Sequence, residues 1–191
     1  MLSFRIRGRY ITITGFKCPP IGDPEAFLSK VNELAERMKV TMVALDASLL
    51  LSWRVLIKAI EAALRAFDEK SNISRKIAIE VMLYLSCSRQ INQALSAFGI
   101  KRETQEIALI LLSHEPNTHR ALKEFRKLFP HFRAFDELLI KRNSHHLRRI
   151  RDFYSISDAE LSASRIKGDE ELAVLIEKSL ISRMTMVDAY K

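Results

Sequence analysis

Basic side chains recur at helical spacing between residues 54 and 65. Arg54, Lys58 and Arg65 follow one another at steps of four, three and four residues when Glu61 is included, so all four share one stripe of a predicted helix. Such a stripe is either a solvated face, with Glu61 and Arg65 as an ion pair, or a row of cations that binds phosphates. The spacing leaves both interpretations open.

Further cations occur where two other helices are predicted to begin. Arg75 and Lys76 follow Ser74, which we expect to cap one helix, and Arg89 follows Ser88, which we expect to cap the next. The start of a helix favours negative charge, so cations in its first turn indicate a site for an anion such as phosphate. If these helices are neighbours, they form one basic surface with Arg54, Lys58, Arg65, Arg75, Lys76 and Arg89.

The residue types used in catalysis are not arranged as a catalytic site. The chain has five glycines and no glycine-rich phosphate loop, and its five histidines have no zinc-ligand spacing with Cys18 or Cys87. Cys87 stands beside a predicted helix start, which can activate a thiol, but its apolar surroundings favour a packing role. We therefore expect no enzymatic activity, no catalytic residue, no metal and no cofactor.

The composition favours an anionic partner in a reducing compartment. The 191 residues carry a net charge of +8, for which nucleic acid is the commonest specific explanation and solubility the alternative. The chain is 48% hydrophobic, which suffices for a core, but no apolar run approaches the roughly 20 residues of a membrane span. The absence of an apolar signal segment and of a disulfide framework leads us to expect a cytoplasmic location and no membrane partner.

The periodicity predicts a sheet covered by helices. An alternating segment at residues 4–14 changes phase at Gly8, which indicates two short strands joined by a turn, and apolar runs at 40–45 and 107–112 predict buried strands, the first of them central. Residues 132–140 fit a strand or a loop. Helices are predicted at 25–38, from Asp46 or Ser48 to 67, at 74–85, 89–98, 119–129 and 145–154, and from about 170 to 191. We expect an α+β (mixed α/β) fold with a small central sheet, in a single domain over residues 1–191.

The last predicted helix is apolar on more than one side. Val174 and Ile181 lie off its main apolar stripe, which consists of Leu172, Leu175, Ile176, Leu180, Met184 and Val187. A terminal helix that is too apolar for a single neighbour suggests that a partner protein covers part of it.

Residues 80–100, EVMLYLSCSRQINQALSAFGI, predict a helix end, a polar turn and a second helix that buries Ile91, Ala94, Leu95 and Phe98, with Gly99 as a left-handed C-cap. The letters SRQI, AL and FGI in this segment resemble the "RQI…AL…FGI" signature of the CGI-type, PRPK-binding subunit (TPRKB family) of the KEOPS complex. Residues 43–46, 58–59, 107–112 and 181–184 are similar to that family too. The turn departs from it, because many members carry a small or glycine-containing turn where this chain has Ser86 and Cys87.

The resemblance implies a non-catalytic subunit that binds and regulates the small atypical kinase (an ATPase) of KEOPS. It also implies that the subunit recruits tRNA through the 3′ CCA end for threonylcarbamoyladenosine (t6A) modification, and contacts the other KEOPS subunits indirectly. We therefore assign the six cations to tRNA, with Trp53 and Tyr84 as rings for base stacking. To the kinase we assign Leu180, Ile181, Arg183 and Met184.

Two alternatives to this assignment remain open. The first is a regulatory adaptor that binds the kinase without binding tRNA directly. The second is a DNA-binding module that uses residues 89–98 as its recognition helix, although that helix offers few base-reading side chains.

Overall fold

A computed structural model describes residues 1–134, 144–161 and 168–189 of the chain. These residues form a five-stranded antiparallel sheet and eight helices, which confirms the predicted α+β fold. The strands are β1 (Leu2–Ile6), β2 (Arg9–Lys17), β3 (Thr41–Asp46), β4 (Glu106–Ser113) and β5 (Arg133–Ala134). The helices are α1 (Pro24–Met38), α2 (Trp53–Asp68), α3 (Ile77–Leu85), α4 (Ile91–Phe98), α5 (Thr118–Leu128), α6 (Ser144–Tyr154), α7 (Asp158–Leu161) and α8 (Asp169–Ala189).

The chain divides into two compact units. Unit 1 comprises residues 1–48 and 98–138 and contains the whole sheet together with α1 and α5. Unit 2 comprises residues 49–97 and 139–191 and is helical over its described residues. A single domain over residues 1–191 stays a prediction. For residues 132–140 the sequence left strand and loop both open. Residues 133 and 134 form β5, and residues 135–140 lie outside the described part.

The sheet of unit 1 has the order β1-β2-β4-β3, with β5 beside the end of β2. The phase change at Gly8 is a tight hairpin turn, in which Arg7 and Gly8 have φ angles of 49° and 79°. The expected central position of β3 is wrong, because β3 pairs only with β4 in the described sheet and β4 takes the central place. An apolar run reports burial of both faces of a strand and does not report how many strands pair with it.

Helices α1 and α5 bury the apolar core of unit 1 against one face of the sheet. Helix α1 begins where the sequence predicts, because the Asp23 carboxylate accepts a hydrogen bond from the backbone N–H of Ala26 at 3.0 Å and Pro24 occupies the first turn. In the core, the ring of Phe125 lies 5.2 Å from that of Phe16 and 4.8 Å from that of Phe129, measured between centroids. Such packed aromatic rings account for much of the stability of a core.

Helix α2 of unit 2 begins later than the sequence predicts. Its cap is Ser52, whose hydroxyl accepts from the N–H of Val55 at 3.2 Å, and not Asp46 or Ser48. Asp46 remains in β3, where its carboxylate accepts from the N–H of Ser48 at 2.9 Å and from the hydroxyl of Thr104 at 2.6 Å. A polar residue after a strand can bond locally in this way without starting a helix.

Several helices end in a left-handed residue that is not glycine. Cys87 has a φ angle of 50° at the end of α3, and Lys39 and Lys70 have φ angles of 53° and 56° after α1 and α2. After Cys87, the N–H of Ser88 donates to the carbonyl of Leu83 at 3.1 Å, as in a Schellman motif. The expected left-handed C-cap at Gly99 is wrong, since Gly99 has no positive φ angle.

Candidate functional site

A surface groove in unit 2 lies between α2 and α8. It encloses about 220 Å³ and brings together side chains that the sequence analysis assigned to two different partners. Lys58 and Arg65 come from the group assigned to tRNA, and Ile181 and Met184 come from the group assigned to the kinase. Glu61, Ala62 and Thr185 complete its lining, and we call this feature the α2–α8 groove.

Each cation of the α2 stripe has a carboxylate partner. The guanidinium of Arg54 lies 3.1 Å from the carboxylate of Glu177, and the side chain of Arg54 is 77% exposed. Lys58 lies 2.9 Å from Glu61, which is also on α2, and its side chain is 53% exposed. An exposed pair of this kind contributes little free energy, so an incoming phosphate can displace Glu61 from Lys58 at small cost.

The third cation, Arg65, belongs to a tighter cluster. Its guanidinium donates to Asp188 on α8 at 2.5 Å, and the second oxygen of the same carboxylate accepts a hydrogen bond from the hydroxyl of Tyr84 on α3. Burial by itself would lower the pKa of Arg65, but the hydrogen bond and charge of Asp188 outweigh it and raise the pKa. Asp188 therefore connects the end of α8 to two other helices of unit 2.

Tyr84 is not available for stacking a nucleic-acid base, so that expectation is wrong. Its side chain is fully buried, and burial together with the hydrogen bond to Asp188 raises its pKa well above the ordinary value. Trp53, the other ring that the sequence suggested, is partly exposed at the first turn of α2. Tyr84 belongs to the apolar helix end seen in the sequence, and its burial shows that this helix end is part of the core.

Glu177 makes a second connection between α8 and α2. The carboxylate is buried, and it accepts a hydrogen bond from the hydroxyl of Ser52 and pairs with Arg54. Because Ser52 caps α2, this contact joins the middle of α8 to the first turn of α2. The sequence analysis missed Glu177; a lone acid within an apolar stripe is the signal that could have found it.

Arg75, Lys76 and Arg89 are exposed, but none of them lies inside a helix. The expected first-turn positions are wrong, because α3 begins at Ile77 and α4 at Ile91. The first turn of α3 instead contains the buried acid Glu80, whose carboxylate accepts from the N–H of Ser74 at 2.8 Å. The dipole argument for an anion at this helix start therefore fails, and the three residues remain as exposed cations.

The four residues of α8 assigned to the kinase have different environments. Leu180 and Met184 are buried within the structure, although Met184 borders the α2–α8 groove. Arg183 donates to the carboxylate of Glu160 on α7 at 2.6 Å. Ile181 is partly exposed and lines the groove, so its side chain is the apolar one of the four that a partner can reach.

Helix α4 exposes part of the face that the sequence predicted to be buried. Ile91 and Leu95 are 37% and 39% exposed, whereas Ala94 is fully buried. The prediction that all apolar residues of this helix face the core is wrong for these two, because helical spacing cannot distinguish a core face from a face that a partner covers. Their exposure adds an apolar surface to unit 2.

The thiol of Cys87 is not activated. Its sulfur lies 3.7 Å from the carbonyl oxygen of Leu180, and burial raises its pKa to about 12 despite the nearby charge of Arg183. Burial also raises the pKa of the Cys18 thiol, to about 11. In the described part of the chain, no group of three His, Cys, Asp or Glu residues is arranged to hold a metal ion.

An open groove that combines cations with apolar side chains is typical of a surface that binds a macromolecule. None of the described helices is both long enough and apolar enough to cross a membrane. The chain belongs to the family described as kinase binding protein CGI-121, which matches residues 23–188. This match confirms the family that the resemblance suggested and supports a kinase as partner. No curated protein matches the chain.

Proposed function

We propose that this protein is the CGI-type, non-catalytic subunit of a cytoplasmic KEOPS complex. In this role it binds and regulates the small atypical kinase of the complex and recruits tRNA through the 3′ CCA end for t6A modification. The match to the kinase-binding family over residues 23–188 is the observation that carries the proposal. The part that concerns tRNA is supported by the net charge of +8 and by the exposed cations of unit 2.

We place the kinase contact at the α2–α8 groove. Ile181 offers reachable apolar surface there, beside the exposed side chain of Thr185. A buried apolar anchor surrounded by polar groups is the usual centre of a protein–protein interface. Leu180 and Met184 then act by holding α8 in place rather than by direct contact.

The kinase contact is tested with substitutions of exposed residues. Deletion of residues 179–191 would remove the buried residues Leu180, Met184 and Val187, so it would unfold unit 2 and test nothing else. We expect Ile181→Asp to weaken binding of the purified kinase about tenfold, as loss of an interface anchor does. The control is Met186→Asp, on the same helix, where the side chain is 48% exposed and does not line the groove. Equal affinity of the two variants would contradict this placement.

The tRNA contact is tested by charge reversal. We expect Lys58→Glu and Arg89→Glu to weaken binding of intact tRNA, and binding to fall steeply with salt because cations contact phosphates. The control is Arg149→Glu, because Arg149 is an exposed cation on α6 that the proposal does not use. Removing CCA from the tRNA should weaken binding comparably and should abolish the effect of Lys58→Glu.

A regulatory adaptor without direct tRNA binding remains the second candidate function. One observation favours it: Arg54, Lys58 and Arg65 already pair with carboxylates, so a phosphate must compete for each of them. Under this alternative, the chain alone binds neither intact nor CCA-less tRNA, with or without Lys58→Glu.

A further inference from the structure

A second group of cations lies in unit 1, around the turn between β1 and β2. Arg5, Arg7 and Arg9 occur within five residues of one another in the sequence, and Arg5 and Arg7 are exposed. In the sheet register, Arg5 pairs with Tyr10 and Tyr10 pairs with Ser113, so these residues form one row at the end of the sheet. Helix α5 begins shortly after Ser113, at Thr118. The hairpin and the start of α5 therefore lie side by side.

A recess of about 420 Å³ opens between the hairpin and the start of α5. Its lining includes Ser3, Arg5, Tyr10, Thr118 and His119. The guanidinium carbon of Arg5 lies over the Tyr10 ring, 5.0 Å from its centroid. This contact holds the cation over one wall of the recess and lowers the entropy that Arg5 loses when it binds a ligand.

Ser3 contributes an exposed hydroxyl to this recess, whereas the side chains of Thr12 and Thr118 are buried. The Thr12 hydroxyl donates to that of Thr118 at 2.9 Å, and the hydroxyls of Ser3 and Thr12 are 3.1 Å apart. Ser3 and Thr118 also line the recess. The exposed Ser3 hydroxyl, on the same strand as Arg5, can bond to the oxygens of a sugar–phosphate chain.

We propose that this hairpin surface, defined by Arg5, Tyr10 and His119, binds the sugar–phosphate backbone of RNA. The inference extends the proposed function, since it rests on RNA being a partner and assigns unit 1 a contact with the body of the RNA. The recess is within the size range of pockets that hold a ligand of nucleotide size. Arg5 and His119 would then contact a phosphate, and the Ser3 hydroxyl a ribose.

The chemistry of the surface favours RNA over an acidic protein or a lipid. All three hairpin cations are arginines, whose planar fork binds phosphate through two hydrogen bonds. A carboxylate-rich peptide would use the same cations but would leave the Ser3 hydroxyl of the recess unused. One acid, Glu115, precedes the recess residue Pro116 in the loop between β4 and α5, while among the described residues the recess itself is lined by Arg5 and His119 and by no carboxylate.

The test compares the full-length chain with its Arg5→Ala variant on intact and CCA-less tRNA. Loss of one phosphate contact should weaken binding about fivefold and lower the slope of log affinity against log salt by about 1. Because the contact is with the body of the RNA, the loss should be the same on both tRNAs. Arg5→Ala/His119→Ala should weaken binding further, and thermal melting should show that both variants are folded.

The matched control is Arg102→Ala. Arg102 is an exposed arginine of unit 1 that precedes β4, whereas Tyr10 pairs with the last residue of β4. The eight residues of β4 separate the two ends by roughly 24 Å. If Arg5→Ala binds tRNA no more weakly than Arg102→Ala, or if it loses affinity for phosphatidylserine vesicles and not for tRNA, the inference is wrong. If instead CCA makes no difference and Arg5→Ala still weakens binding, the CCA part of the proposed function fails and the hairpin surface stands.

Discussion

The cluster of Tyr84, Asp188 and Arg65 allows a quantitative prediction about how α8 is held. The change is Asp188→Ala, which removes the acceptor of the buried Tyr84 hydroxyl and the partner of Arg65. A buried hydroxyl left without a partner costs about 1–3 kcal/mol, and the half-exposed Arg65 pair adds at most about 1 kcal/mol. We therefore expect Asp188→Ala to lower the free energy of unfolding by about 1–4 kcal/mol.

Tyr84→Phe completes a double-mutant cycle for this hydrogen bond. The single variant should cost about 1 kcal/mol, because it removes one hydrogen bond and leaves Asp188 with Arg65. The double variant should cost less than the sum of the single variants by about 1–2 kcal/mol, since it leaves no buried hydroxyl unpaired. Urea unfolding followed through Trp53, the single tryptophan, measures all three free energies.

The control for this cycle is Asp158→Ala. Asp158 also pairs with an arginine, Arg151, but its side chain is 91% exposed, so the change should cost less than about 1 kcal/mol. If the effects of Asp188→Ala and Tyr84→Phe add to within about 0.5 kcal/mol, the two side chains are not coupled. That result would refute the hydrogen bond between Tyr84 and Asp188 and the inference that Asp188 connects the end of α8 to two other helices of unit 2.

Three further predictions follow from burial. Burial holds the pKa of Tyr84 and of Tyr154 above the ordinary value of about 10, so these tyrosines keep a proton in the folded chain that they lose in the unfolded chain. The free energy of unfolding should therefore fall above about pH 10, and it should fall less steeply in Tyr84→Phe. Urea unfolding at several pH values measures both slopes. Burial raises the pKa of Cys87 to about 12, so iodoacetamide at pH 8 should alkylate it roughly a thousandfold more slowly in the folded chain than in the chain unfolded in urea. Mass spectrometry measures both rates, and equal rates would contradict the burial of Cys87. Phe125→Ala should cost about 3–5 kcal/mol in urea unfolding, since the ring is fully buried among other rings; a cost under about 1 kcal/mol would contradict that packing.

The elements of the fold were largely predictable from the sequence. The apolar run that became β4, the Asp23–Pro24 start of α1 and the phase change at Gly8 each depend on residues close together in the chain. Strand and helix periods are set by backbone geometry, so such local patterns are sufficient to predict them. The family was predictable for the same reason, because its signature is a contiguous string of residues.

The starts of α2, α3 and α4 were not predictable to the residue. Ser74 and Ser88 do bond to nearby N–H groups, as polar residues before a helix commonly do, but the helices begin three residues later. The buried carboxylate of Glu80 draws the loop before α3 together, and a lone acid in an apolar helix indicates burial without indicating which loop N–H groups it binds. Local capping residues therefore indicate that a helix starts nearby and leave its first residue undetermined.

The sequence by itself determined the α+β class, the family and the set of available cations. Only the tertiary structure decided what each of these side chains can do. It paired Arg65 with Asp188, buried Tyr84 and left Ile181 exposed in the α2–α8 groove. It also brought Arg5 and His119 together, although 114 positions separate them in the chain. Spacing along one helix or strand gives the face of a residue, whereas its partner and its exposure depend on which distant segment packs against that face.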